Sequence, residues 1–156
     1  MIYTDMRTHH NLDNTVFNGK FDQNIEMTIG NTSNKRIRWA RIQKGWLIKT
    51  LAAKVEIAAA HLSQLEGKTT GTAEMKTLRK LATELEQPIW FIGCFENMPE
   101  DTFFEKLEKA RCYHGHTKVE MAEELGIHQR TIFDWKDKEP GQVLKKKALL
   151  YCKILD

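Results

Sequence analysis

The sequence is poor in the residue patterns from which catalytic and metal centres are built. Its 156 residues contain three cysteines, Cys94, Cys112 and Cys152, scattered and without a Cys-x-x-Cys pair. An odd, dispersed set excludes a disulfide framework, and free thiols in a reducing cytosol are expected. No Gly-rich phosphate loop and no Gly-x-Ser-x-Gly elbow occurs. The many carboxylates fall at helix starts, where they complement the helix dipole. No cofactor and no enzymatic activity are expected. No apolar run approaches the roughly twenty residues that cross a bilayer, and the first residues lack a signal-peptide pattern. A cytoplasmic protein with no membrane contact is expected. One set of candidate ligands, Cys112-x-His114-x-His116, straddles a helix end and a turn. With no second cluster to complete four ligands it reads as structural, and no metal is expected.

What the sequence does contain is a duplication. Shifted by seventy residues without a gap, Ala40 falls on Ala110, Arg41 on Arg111 and Gly45 on Gly115. Leu51 falls on Met121, Ala52 on Ala122, Val55 on Leu125, Ile57 on Ile127, Leu62 on Ile132 and Leu65 on Trp135. A repeat of that length marks two copies of one supersecondary unit. Each reads as short helix, tight turn, short helix. In the second copy Thr117 and Glu120 have capping-box spacing. Met121, Ala122 and Leu125 form an inward stripe, and Gly126 supplies the positive φ of a sharp turn. The following helix carries Ile132 and Trp135 inward and Gln129, Arg130, Phe133 and Asp134 outward. In helix-turn-helix geometry of this kind the second helix can enter a DNA major groove.

The repeat divides the chain into an arm (1–30), a first unit (31–98) and a second (99–156). Units this small bury only about 60% of their unfolded surface, so mutual packing or dimerisation is expected. Lys+Arg against Asp+Glu number 2 and 4 in the arm, 11 and 6 in the first unit, and 11 and 11 in the second. The first unit is therefore the one suited to a polyanionic partner. In the arm, Asn18-Gly19 favours a type I′ turn, yet the flanking strands are too short to stand alone, and a flexible arm is expected.

Gly45 to Glu66, G-W-L-I-K-T-L-A-A-K-V-E-I-A-A-A-H-L-S-Q-L-E, resembles the Cro/C1-type (XRE) helix-turn-helix family. The resemblance extends from about Ile29 to Phe95 and, in the second copy, over the first three helices after Pro99. It implies an all-α fold of two tandem lambda-repressor-like helix-turn-helix bundles behind a flexible N-terminal arm. It also implies a phage-type transcription regulator, a repressor, that binds double-stranded operator DNA as a homodimer through its recognition helices. The alternative is a protein-interaction module, antitoxin-like or phage inhibitor-like, with one copy on DNA and the other on a protein partner.

By that resemblance Arg41 pairs with Glu66 and touches phosphate. In the second copy the Glu position is Lys136, which leaves Arg111 without an equivalent partner. The DNA-binding positions of the first copy are Ala59, Ala60, His61, Ser63 and Gln64, followed by Lys68. Those of the second are Lys118, Gln129, Arg130 and Thr131. Gln suits adenine, Arg suits guanine, and alanines suit the thymine methyl group. The first unit has the better charge for DNA, the second the better donors.

Around these motifs, Ser33 or Asn34 is expected to cap a helix over Lys35 to about Lys44. Ile37 and Ala40 face inward in it, while Arg36, Arg38 and Lys44 are solvated or near phosphate. Glu56 stands where a left-handed glycine is usual, at a cost of about 1 kcal/mol. Ala73–Leu85 reads as a helix, with another after Pro88. Trp90, Phe91 and Phe95 belong to an apolar run in surplus of one core, expected at an interdomain or dimer contact.

Overall fold

The computed structural model describes residues 29–67 and 73–156, in which all regular secondary structure is helical. The protein is all-α. The elements are α1 (Ser33–Gln43), α2 (Ile48–Lys54), α3 (Ala59–Gly67), α4 (Met75–Leu85) and α5 (Ile89–Gly93). A 3-10 turn at Phe95–Asn97 leads to α6 (Phe103–His114), α7 (Lys118–Leu125), α8 (Gln129–Asp134) and α9 (Gln142–Tyr151), which runs into a 3-10 turn at Cys152–Leu155. None of the described helices is long and apolar enough to cross a membrane. The expected arm and hairpin fall, except for Ile29 and Gly30, outside the described residues, and so does Lys68.

The seventy-residue shift recurs in the backbone at both turns. Gly45 and Gly115 both take left-handed backbone (φ 68 and 70), and so do Glu56 and Gly126 (φ 58 and 67). The same carbonyls are satisfied at both helix ends. Trp46 N–H donates to Arg41 O and His116 N–H to Arg111 O; Ile57 N–H donates to Ala52 O and Ile127 N–H to Ala122 O. This is the left-handed C-cap arrangement that closes a helix and turns the chain sharply. Glu56 tolerates it without the glycine and sends its carboxylate to Lys80 at 2.6 Å. The correspondence continues into the fourth helix of each copy. Leu78, Leu81, Ala82 and Leu85 match Ala148, Tyr151, Cys152 and Leu155, and all eight are buried or half-buried.

Two apolar clusters form. Ile37, Ala40, Leu51, Val55, Leu62, Leu81 and Phe91 centre the first, and Leu107, Ala110, Met121, Ile132, Trp135 and Ala148 the second. Helix α6 serves both, because Cys112 belongs to the first cluster while Leu107 and Ala110 belong to the second. The units meet at a joint. Tyr113 stacks on Trp90 at 6.0 Å, and Arg79 pairs with Glu120 at 2.8 Å. Gly115 lies so close to Ile89 and Arg79 that a Cβ there would sit 2.8 Å from the Ile89 Cδ1. Of the three aromatics expected at such a contact, Trp90 lies in the joint, whereas Phe91 and Phe95 are buried in the first cluster.

The start of the chain departs from expectation in two ways. Helix α1 begins at Ser33 after Thr32, with no side-chain cap from Ser33 or Asn34, because Arg36 N–H already bonds Thr32 O at 3.1 Å. Arg36 is also not solvated: it is 0% exposed. Its guanidinium donates to Phe91 O at 2.9 Å and Gly30 O at 3.3 Å, pairs with the Glu96 carboxylate, and lies over the Phe91 ring. Lys44 likewise pairs with Glu86 rather than standing free. Arg36 thus ties α1 to the loop after α5. Removing one member of a buried pair strands the other, so Arg36→Met is expected to cost about 3–5 kcal/mol. Denaturant unfolding with an unchanged m-value checks this.

Candidate nucleic-acid interface

Helix α3 is held by its far end. The Arg41 guanidinium donates from Nε and Nη2 to the two Glu66 oxygens at 2.6 and 2.7 Å, and from Nη1 to Trp46 O at 2.7 Å. Both side chains are buried, and the hydrogen bonds that Arg41 donates to Glu66 raise its pKa above the ordinary value. Asn34 adds a bond to Glu66 O at 3.4 Å. One guanidinium therefore fixes three things relative to α1: the end of α3, the turn before α2, and the direction in which α3 faces outward.

That outward face carries every position expected in the first copy except Lys68. Ala59, Ala60, His61, Ser63 and Gln64 are all exposed, while Leu62 and Leu65 point into the core. The same unit carries exposed cations on α1 and α2. Lys35, Arg38 and Lys49 are exposed and make no ion pair within the described residues, whereas Lys44, Lys54 and Lys80 are paired. Arg38 follows Asn34 by four residues, which puts it on the α1 flank that touches the end of α3. Lys54 lies 4.7 Å over the Trp46 ring.

The second copy builds its corresponding face differently. Arg111 has no partner at the place of Glu66 and takes one from its own helix. Glu108, one turn earlier in α6, accepts from Arg111 at 3.0 Å, while Arg111 Nη1 donates to His116 O at 2.7 Å. The anchor on the turn carbonyl is kept, but α8 is not tied to it, and Lys136 is exposed. The i, i+3 spacing of Glu108 and Arg111 was the signal for this pair. Of the expected positions, Arg130 is exposed, Gln129 and Thr131 are half-buried, and the Lys118 ammonium lies 4.5 Å over the Phe133 ring. Phe133, at the place of Ser63, is 50% exposed, as is Val119 at the place of Lys49. Asp134 and Asp137 join Phe133, Arg130 and Gln129 in lining a shallow depression.

The Cys-x-His-x-His set is spent on packing. Cys112 is buried, and the two imidazoles stack at 5.2 Å. The ring nitrogens His114 Nε2 and His116 Nδ1 each hydrogen-bond Tyr151, at its carbonyl and hydroxyl oxygens respectively, both at 2.9 Å. Among the described residues no three His, Cys, Asp or Glu converge in a metal-holding group. Comparison with known protein families, curated proteins and solved structures returns no match.

Glu120 does not face outward as a free carboxylate. It completes the capping box with Thr117 and reaches Arg79 across the joint. The Thr117 N–H bond first, and then Arg79, hold its carboxyl at about 2. A folded-state value below the unfolded one gives stability that is present above pH 4.5 and lost as pH falls toward 2. Thermal melts of the parent should therefore decline through that window more steeply than those of Glu120→Gln, whose melting temperature is lower at neutral pH.

Proposed function

We propose that this protein is a sequence-specific DNA-binding regulator, a repressor, in which α3 enters the major groove of operator DNA. The observation that carries the reading is the Arg41–Glu66 clamp beneath an exposed α3 face, in a unit whose exposed Lys35, Arg38 and Lys49 make no ion pair within the described residues. A helix meant to enter a groove needs a rigid seat and short outward side chains, so that base edges come within hydrogen-bond range. Gln64 then supplies a bidentate contact suited to adenine. Ala59 and Ala60 offer methyl contact to thymine. Arg38 and Lys49 supply the phosphate charge that sets register and salt dependence. A repressor of this type acts by occupying its site and denying it to polymerase.

A second reading concerns α8. Phe133 and Val119 are exposed where the first copy carries Ser63 and Lys49, and Asp134 replaces Gln64. That exchange favours a protein partner over phosphate at this face, leaving DNA to the first unit.

Selection of bound sites from random duplex DNA, followed by isotherms at several salt concentrations, tests both. A preferred sequence is expected. Gln64→Ala should lose about 1–3 kcal/mol on the preferred site and relax preference at one base pair. Lys49→Ala should weaken all sequences alike and lower the salt slope by about one. Arg130→Ala should leave sequence preference unchanged if the second unit holds a protein. No preferred sequence, with Gln64→Ala indistinguishable from the parent, would defeat the reading.

A further inference from the structure

The second unit holds three of the four histidines in the described residues, and two of them share one tyrosine. His114 closes α6 and His116 lies in the turn that follows, with their rings stacked at 5.2 Å. Both reach Tyr151, the last residue of α9, whose ring lies 4.2 Å from that of His114. A carbonyl oxygen only accepts, so His114 donates from Nε2 to Tyr151 O at 2.9 Å. The Tyr151 hydroxyl serves the other ring. Burial raises its pKa, so it keeps its proton and donates to His116 Nδ1 at 2.9 Å. Both bonds are made with the two imidazoles neutral.

An imidazolium at His116 fits this site poorly. It cannot accept the Tyr151 proton, and it would meet the stacked His114 ring and the Arg79 guanidinium of α4. From α7, Glu120 and Glu124 would attract it, but Glu120 is committed to the Thr117 N–H and to Arg79. From α6, Arg111 donates to His116 O at 2.7 Å. The Cys112 and Cys152 thiols on either side have their pKa raised by burial and carry no charge. Burial first, and then His114, lower the His116 pKa from 6.5 against the pull of the two glutamates. A folded-state value below the unfolded one gives stability that is whole above pH 6.5 and lost as pH falls below it. The first copy has Lys44, Trp46 and Leu81 in these three places, and so no imidazole.

We propose that the His114–His116–Tyr151 cluster is an acid-operated latch, which in mildly acidic solution lets α9 leave the α6–α7 corner while the first unit stays folded. The opened form takes up a proton that the closed form refuses. Its opening constant therefore rises by up to about tenfold per pH unit for each such proton. More than a chain end is released. Ala148, Tyr151 and Cys152 leave the second core. Lys147 withdraws from Leu125 O, which it meets at 3.1 Å just ahead of the turn into α8. The α8 face is thus lost in acid before α3, whose seat on Arg41, Glu66 and Asn34 holds no imidazole. The latch needs neither DNA nor a partner, and it works above the window in which Glu120 titrates.

Amide hydrogen exchange of the full chain, resolved by NMR and corrected for the intrinsic pH dependence of exchange, tests the latch between about pH 7.5 and about pH 5. Protection across 142–151 should fall by about threefold to tenfold, while 59–67 and 75–85 hold theirs. His114→Gln with His116→Gln keeps amides able to bond Tyr151 but does not titrate, and its α9 protection should not follow pH. His128 stands apart at the start of α8, where Nδ1 accepts the Arg130 N–H at 3.2 Å. His128→Asn should therefore lose α9 protection as the parent does. The His116 ring protons of the parent, followed directly and without any variant, should titrate with a midpoint below 6.5. A midpoint at or above that value overturns the proposal. So does a parent whose α9 protection holds to pH 5, an equal loss in the first unit, a double glutamine variant that keeps the loss, or a His128→Asn protein that lacks it.

Discussion

The Arg41–Glu66 pair is the constraint on which the rest of the structure depends. Burying two charges is expensive, and the cost is recovered only when geometry is good and the remaining donors are satisfied. Here the guanidinium fork meets both carboxylate oxygens and its last nitrogen meets the Trp46 carbonyl. The same donors that stabilise the pair also set where α3 ends and how the chain enters α2. A planar fork fixes direction in a way a lysine ammonium cannot. The outward face of α3 is therefore an orientation imposed by chemistry behind it.

The second copy shows what happens when that constraint is moved. Arg111 keeps the bond to the turn carbonyl but takes its carboxylate from Glu108 in its own helix. The turn survives. The tie to the following helix does not, and α8 is shorter than α3. The outer surface of the second copy also carries Phe133, Val119 and Asp134 where the first has Ser63, Lys49 and Gln64. One fold therefore carries two different surfaces. The joint seats them on one chain through an aromatic stack, an ion pair and a glycine into which Ile89 presses, which accounts for a positive-φ glycine at 115 that is tightly contacted and one at 45 that is open.

Much of this was legible in the sequence because the duplication repeats its apolar spacing without a gap. The all-α class, the helix pairs, the left-handed Glu56 and the Thr117 capping box follow from stripe, glycine and cap positions. The charge of Arg36 points to solvent, but its place one turn before the inward Ala40 marks it for the core, and spacing prevails over polarity. Glu108 is not legible from the first copy, in which the matching arginine takes its carboxylate from a different helix. The joint was less legible still. Trp90 against Tyr113 and Arg79 against Glu120 join residues far apart in sequence, with no local pattern to announce them. The left-handed Glu86 and Cys94 gave no signal either, since neither is a residue type that usually takes that conformation.

The central claim is that α3, seated by Arg41 and Glu66, is the surface that meets DNA. Backbone amide shifts of the full chain, followed by NMR during titration with the selected duplex, test it most directly. The account predicts that the largest changes map to residues 59–67 of α3, with the amides around Arg38 and Lys49 following. Changes centred on α8, or a spectrum unaltered at saturating duplex, would contradict it.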